Sequence, residues 1–344
     1  MKKMMKQWIS AAALATTISG GALMAQAPAP LAPAPAARAP QAGPQAPAPQ
    51  AAAVKFPPIN LKNFTADSPA SAEVNDFLKA LWGYDENRTW EVAAILKTEA
   101  PGVAKIVVYV AEEGQGGGAR STVFFSTPDG KHVIADQVID FGAKPFAGKR
   151  KMLQDRANGA AEGATSKDLM LVEFADLQCP HCKEAQDTMD NLAKDFPQAR
   201  IVYQDFPLVE IHPYAFAAAA EGVCVRKEKG DAAFFTYVKT VYDKQAGLTE
   251  EAAGATLATA AAAAGADPKA VATCAKSDET KHAVEASIQL GKDVGVDQTP
   301  LLFANGHALP LGGIPYETLK KIIAFQAGQD GIVVHLQPTL STLK

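Results

Sequence analysis

Apolar positions in this chain first recur at helical spacing and then in short runs. Val74, Phe77, Leu78 and Leu81 lie three and four apart, which predicts a helix over 72–82 with Ser71 as its cap. After it, runs at 90–97, 105–111, 121–126 and 132–139 predict strands. Pro128-Asp129-Gly130 places proline and glycine where a tight reversal needs them, and a turn-rich loop at 112–118 joins the preceding strands. Residues 60–150 are therefore expected to form a small α+β domain, a helix against an antiparallel sheet. No cluster of His, Cys or paired acids falls in it, which points to recognition, dimerisation or spacing rather than chemistry.

The pattern changes after residue 150. Residues 151–166 are polar and have no large apolar side chain after Leu153, so they predict a linker region, a helix followed by a loop. The run Leu169-Met170-Leu171-Val172-Glu173-Phe174 then predicts a buried strand, ahead of Cys179-Pro180-His181-Cys182. A helical pattern follows through Met189, Leu192 and Phe196, and Ile201-Val202-Tyr203 predicts the next strand. Strand, CxxC, helix and strand form the βαβ setting in which such a pair reads as a redox motif. From about 212 to 294 the chain is alanine-rich and helical in pattern. Thr249 with Glu250 and Glu251 opens one helix there, and Gly265-Ala266-Asp267-Pro268 separates it from the next.

The ends of the chain differ in kind. Lys2, Lys3 and Lys6, the apolar stretch 8–24 and Ala25-Gln26-Ala27 have the layout of a secretory signal peptide over 1–27. An uncleaved anchor is the alternative, and Pro28 fits poorly directly after a cut. Residues 28–58 hold ten of the 23 prolines, with alanine making up most of the rest, and predict an extended tether. A proline-rich ligand for a partner domain is the other reading. Residues 328–344 form a C-terminal tail. The 344 residues leave room for about two domains, which excludes a disulfide-scaffold miniprotein. With 33 basic against 37 acidic residues the charge is −4, and no Lys/Arg stripe suggests nucleic acid. Loss of the leader with its three lysines would make it −7, 30 against 37.

The CxxC carries the chemistry. A free thiol has a pKa of about 8.5, which a helix N-terminus and a nearby histidine can lower to roughly 3.5–7.5. Cys179 is placed at a helix start, where orphan N–H groups and the dipole favour an anion. Pro180 suits the first helical position because it lacks the N–H that would go unused there. His181 adds a donor and, when protonated, a positive charge. Cys182, one turn on, is the resolving thiol. A stabilised thiolate favours the reduced pair, which makes the disulfide oxidising. A zinc site would need two further ligands at matching spacing, and neither the other cysteines nor His212 and His282 provide it. No metal or cofactor is expected.

With these residues in hand, 167–327 resembles a DsbA-like thioredoxin-fold thiol:disulfide oxidoreductase. The carrying elements are Cys179-Pro180-His181-Cys182, the strand Leu171-Val172-Glu173-Phe174, Phe206-Pro207-Leu208 with His212-Pro213, and Thr299-Pro300. The resemblance implies an α/β thioredoxin fold with an inserted helical domain at about 212–294. It implies that Thr299 and Pro300 form a cis-proline loop that pairs with substrate backbone, and that Glu173 is a buried acid relaying the proton of Cys182. The other reading of Glu173 is an edge-strand acid in water. Cys224 and Cys274 both fall in the insertion, and in an oxidising compartment they are expected to bond; two separate thiols are the alternative. The stretch 127–134 followed by Asp140-Phe141 resembles the end of the DsbC/DsbG dimerisation domain, over one short hairpin.

The implied function is exchange of the Cys179/Cys182 disulfide with cysteines of unfolded or reduced secreted proteins in the periplasm or cell envelope. The oxidase direction is favoured, with a membrane DsbB- or VKOR-type reoxidant. The alternatives are a homodimeric isomerase or reductase served by a DsbD-type reductant, and a non-redox chaperone for envelope proteins.

Overall fold

A computed structural model describes residues 56–113, 118–135 and 137–334. The expected signal peptide, nearly all of the tether, the middle of the 112–118 loop and residues 335–344 lie outside these.

Helix α1 (Ser71–Trp82) buries Val74, Phe77 and Leu78, the spacing the sequence shows. Its cap differs from the expected Ser71. Ala70 holds the extended cap backbone, and the Glu73 carboxylate accepts the Ala70 N–H at 2.8 Å, so Ser71 is already helical. The helix packs on one face of an antiparallel sheet, ordered β1 (Arg88–Lys97), β2 (Ala104–Glu112), β3 (Arg120–Ser126), β4 (His132–Ile134) and β5 (Val138–Asp140). The run expected to be one strand over 132–139 is two, because the chain reverses between Ile134 and Val138, which pair with each other. Phe124, Val133 and Ile106 point towards α1. Phe125, Ile134 and Val138 therefore form a row on the opposite face, each at least 40% exposed.

The expected linker at 151–166 is built into the second domain. Helix α2 (Ala147–Arg156) sets Leu153 among Met170, Val172 and Phe303. Strand β6 (Ala161–Gly163), too short and too small in its side chains to show alternation, adds an edge to the second sheet. That sheet runs β10-β9-β7-β8-β6, with β7 (Met170–Ala175) parallel to β8 (Arg200–Asp205). All six residues of β7 are buried. Between β7 and β8 the one helix expected after the cysteines is two, α3 (Pro180–Glu184) and α4 (Gln186–Asp195), which meet at Ala185.

Five helices follow before the sheet resumes: α5 (Ala215–Lys229), α6 (Asp231–Asp243), α7 (Ala253–Ala263), α8 (Pro268–Cys274) and α9 (Asp278–Val294). Thr249, Glu250 and Glu251 form a turn ahead of α7, with Thr249 O accepting the N–H of Ala253. Alanines let these helices approach closely, and Tyr237 and Phe234 fill the space between them. Gly291 in α9 is required by packing, since a Cβ there would lie 2.5 Å from the ring of Phe206. Strands β9 (Leu301–Ala304) and β10 (His307–Pro310) and helix α10 (Tyr316–Gln329) complete the layer, a thioredoxin-like arrangement with a helical insert. The two domains touch at Gly83 against Phe325, and Phe146 stacks on His307 with ring centroids 4.1 Å apart. Ile332 and Val334 of the tail pack against the α10 cluster. Among the described residues no helix is long and apolar enough to cross a membrane.

Candidate active site

Strand β7 ends at Ala175, and Asp176-Leu177-Gln178 turns the chain into α3. Cys179 is the N-cap, with extended backbone, and Pro180 is the first helical residue, as the missing N–H of proline favours. Both thiols are unbonded in the structure, Cys179 at 4% exposure and Cys182 fully buried. Cys179 Sγ lies 3.7 Å from the carbonyl oxygen of Thr299, whose bond to Pro300 is cis, so β9's leading loop brings the two sequence-distant motifs together.

The two sulfurs are driven apart in acidity. The Cys182 thiol hydrogen-bonds the Cys179 sulfur, and the backbone N–H groups of Cys182 and His181 and the side-chain hydroxyl of Thr299 add to it. Against the opposing effect of burial, these bring Cys179 down to about 5. Cys182 moves the other way, raised first by burial and then by its bond to Cys179 and the charges of Cys179 and Glu173. One sulfur is a thiolate at neutral pH and its neighbour keeps its proton.

The His181 ring is exposed. Its Nδ1 pairs with Glu184 Oε2 at 3.1 Å on the surface, and that pair, more than the Cys179 charge, raises its pKa. What His181 gives Cys179 by hydrogen bonding is its backbone N–H. Glu173 is not an edge-strand acid: it is 3% exposed on the central strand β7, paired with Tyr203 and Leu302. Its Oε1 has no hydrogen-bond partner, and burial, followed by Glu162 and Asp190, pushes its carboxyl up to about 8. Cys224 and Cys274 are bonded to each other, with Cα atoms 6.0 Å apart.

Several residues that hold the motif carried no sequence signal. Asp176 is 1% exposed; its Oδ1 accepts the Gln178 N–H at 2.7 Å, and its own N–H reaches Cys182 Sγ at 3.4 Å. Gln245, beyond α6, donates to the carbonyls of Leu177 and Cys179 at 3.0 Å each. Tyr242 donates to the Asp176 carbonyl at 3.4 Å, and Gln178 accepts the Tyr214 N–H at 2.7 Å. The helical insert thus grips the loop ahead of Cys179 from above, over 36 to 68 residues of sequence.

Fold and paired cysteines define a thioredoxin-like domain. Residues 156–324, just under half of the chain, match the family model described as thioredoxin, and residues before 156 lie outside the match. Among solved structures, the chain is similar to a periplasmic thioredoxin-like protein from Salmonella enterica serovar Typhimurium, at 20% identity and TM-score 0.44 over 52% of this chain and 96% of that one. It is also similar to the thiol-disulfide exchange protein alpha-DsbA2 from Wolbachia pipientis, at 18% identity and TM-score 0.45 over 52% and 94%. A curated relative, a Na(+)/H(+) antiporter NhaA 3 of Salinispora tropica, is 35% identical over 68 residues, 20% of this chain. The matches span only 9% to 26% of the length of the curated relatives.

Proposed function

We propose that this chain is a cell-envelope thiol:disulfide oxidoreductase in which Cys179 exchanges with cysteines of unfolded or reduced secreted proteins. The observation that carries the reading is the contrast at the CxxC: a thiolate at the N-terminus of α3 beside a buried, protonated partner. In the oxidised enzyme a substrate thiolate attacks Cys179 Sγ, forms a mixed disulfide and expels Cys182 as thiolate. Cys182 lies in a setting that disfavours charge, so it takes a proton, and Glu173 is the acid placed to supply it. A second substrate thiolate then attacks the substrate sulfur and expels Cys179, whose low pKa makes it the better leaving group. Two substrate thiols become a disulfide and the CxxC pair becomes reduced. Thr299 and Pro300 border the sulfur, where substrate backbone would lie.

A thiolate stabilised this far favours the reduced enzyme, so the oxidase direction is the preferred one, and turnover requires a membrane reoxidant of the DsbB or VKOR type. One observation favours the second reading, a dimeric isomerase or reductase kept reduced by a DsbD-type donor: the exposed row Phe125, Ile134 and Val138 on the outer face of the first sheet. Refolding of ribonuclease separates the two. Faster recovery from the reduced substrate supports the oxidase, and faster recovery from the scrambled substrate alone overturns it. A Cys179→Ser variant that keeps the cellular role would instead favour a chaperone.

A further inference from the structure

Below the CxxC, between α3–α4 and helix α6 of the insert, runs a groove of about 840 Å³. Pro180 lies at one end of its lining, next to the reactive sulfur, and Glu173 forms part of it. Its charge is lopsided. Glu162, Asp187 and Asp190 join Glu173 without any ion pair among the described residues, whereas the lysines that line it are Lys183 and Lys239, the latter 3.6 Å from Asp243. Glu184 on the rim is occupied by His181. The rest of the lining is mixed, with Met189, Phe235 and Val238 alongside Gln186, Thr236 and Gln245.

We propose that this groove binds a long basic side chain, arginine or lysine, of the polypeptide whose cysteine reacts at Cys179. A bare cation needs a small cage of oxygens, and the described residues hold no such cluster. An aliphatic stem with a cationic head fits both the apolar side chains of the lining and its acids. Glu173 supplies the independent sign of a missing partner, a carboxyl 3% exposed that lines the groove with Oε1 unbonded. The inference rests on the exchange reaction proposed above and adds which substrates it prefers. It also links docking to chemistry. Burial first, and then Glu162 and Asp190, hold the Glu173 carboxyl protonated; a basic side chain arriving beside those two acids would offset their share and ease ionisation of Glu173 beside Cys182.

The test uses the full chain and a pair of cysteine-free fluorescent peptides that differ in one position, arginine against norleucine, read by anisotropy. The arginine peptide is expected to bind about tenfold more tightly, the scale of one shielded ion pair, and Glu162→Gln with Asp190→Asn is expected to abolish the difference. Equal binding of the two peptides, or a difference that survives the double variant, overturns the proposal. Should that variant not fold, a glutamate peptide on the wild-type chain replaces it, and binding as tight as arginine is again fatal. Displacement by spermidine at equal affinity would assign the groove to a free polyamine instead and overturn the polypeptide assignment. Cysteine-bearing versions separate the two readings: arginine-dependent binding without any disulfide exchange would refute the redox function and leave the groove standing.

Discussion

Asp176 and His212, 36 residues apart, meet at 2.8 Å between carboxylate Oδ2 and ring Nδ1, and the same oxygen accepts the Leu208 N–H at 2.8 Å. With its other oxygen on Gln178 and its backbone on both cysteines, Asp176 ties the loop after β8 to the loop after β7. The exposed Val209 and Ile211 are carried on that loop.

Replacing Asp176 by alanine leaves the N–H groups of Gln178 and Leu208 and the ring of His212 without their acceptor in a largely buried site. The expected cost is about 3–5 kcal/mol, seen as a lower urea midpoint, with Asp176→Asn losing less because one carboxamide oxygen remains. His212→Ala removes one donor and leaves the two backbone bonds, so its loss should be the smallest of the three. An Asp176→Ala protein with wild-type stability would show that the carboxylate does not organise the loop.

Iodoacetamide reactivity of the reduced protein is expected to follow a titration centred near pH 5, assigned to Cys179, while Cys182 stays unreactive through neutral pH. Cys182→Ala removes the largest cause of the shift and should move that midpoint upward by more than Cys182→Ser, which keeps a donor. Because the folded thiol is more acidic than the unfolded one, the reduced state gains stability as pH rises from about 5 towards the ordinary thiol range, and loses it as pH falls through 5. The oxidised protein lacks this term, so the stability gap between the two forms should change with pH in that window.

Glu173 works in the opposite sense. Its carboxyl is less acidic folded than unfolded, so the folded state is favoured below pH 4.5 and penalised progressively up to about 8. Glu173→Leu should therefore be more stable than wild type at pH 7, by about 2–4 kcal/mol before packing losses, and no more stable at pH 4. Its exchange should also slow at the step in which Cys182 gains or loses its proton, observed as slower decay of a mixed disulfide trapped on Cys179. Unchanged decay would remove Glu173 from the mechanism.

The sequence displayed what is local. The apolar run of β7, the proline after Cys179 and the three-and-four spacing of α1 each depend on neighbours in the chain, and each can be read without the fold. Thr299-Pro300 was readable through resemblance alone, since nothing in its vicinity announces a sulfur 120 residues away. Asp176, Gln245 and Tyr242 were not legible, because their partners arrive only when the insert closes over the loop. Strand β6 was missed for a related reason: Ala161-Glu162-Gly163 earns its place by backbone pairing with β8, which leaves no trace in side-chain pattern. The His181 ring pairs with Glu184 one turn on, a partner that no pattern around the CxxC signals, while the Cys179 charge still helps to hold its proton.

The bond between Cys224 and Cys274 ties α5 to α8 across 50 residues, and it is independent of the reactive pair. Closing a loop of that length restrains the unfolded chain by about 4 kcal/mol in the chain-entropy view. In a Cys179→Ala/Cys182→Ala background, which removes the exchanging thiols, further replacement of Cys224 and Cys274 by alanine should lower the denaturation midpoint by that scale. Dithiothreitol should bring the parent to the same midpoint and leave the quadruple variant unchanged. The Thr280 hydroxyl lies 3.5 and 3.6 Å from the two sulfurs, with Cys224 buried and Cys274 half-buried, so reduction is expected to speed up as that part of the insert opens, and low denaturant should accelerate it. A parent whose stability is indifferent to reductant would show that the two cysteines are separate thiols in the folded protein.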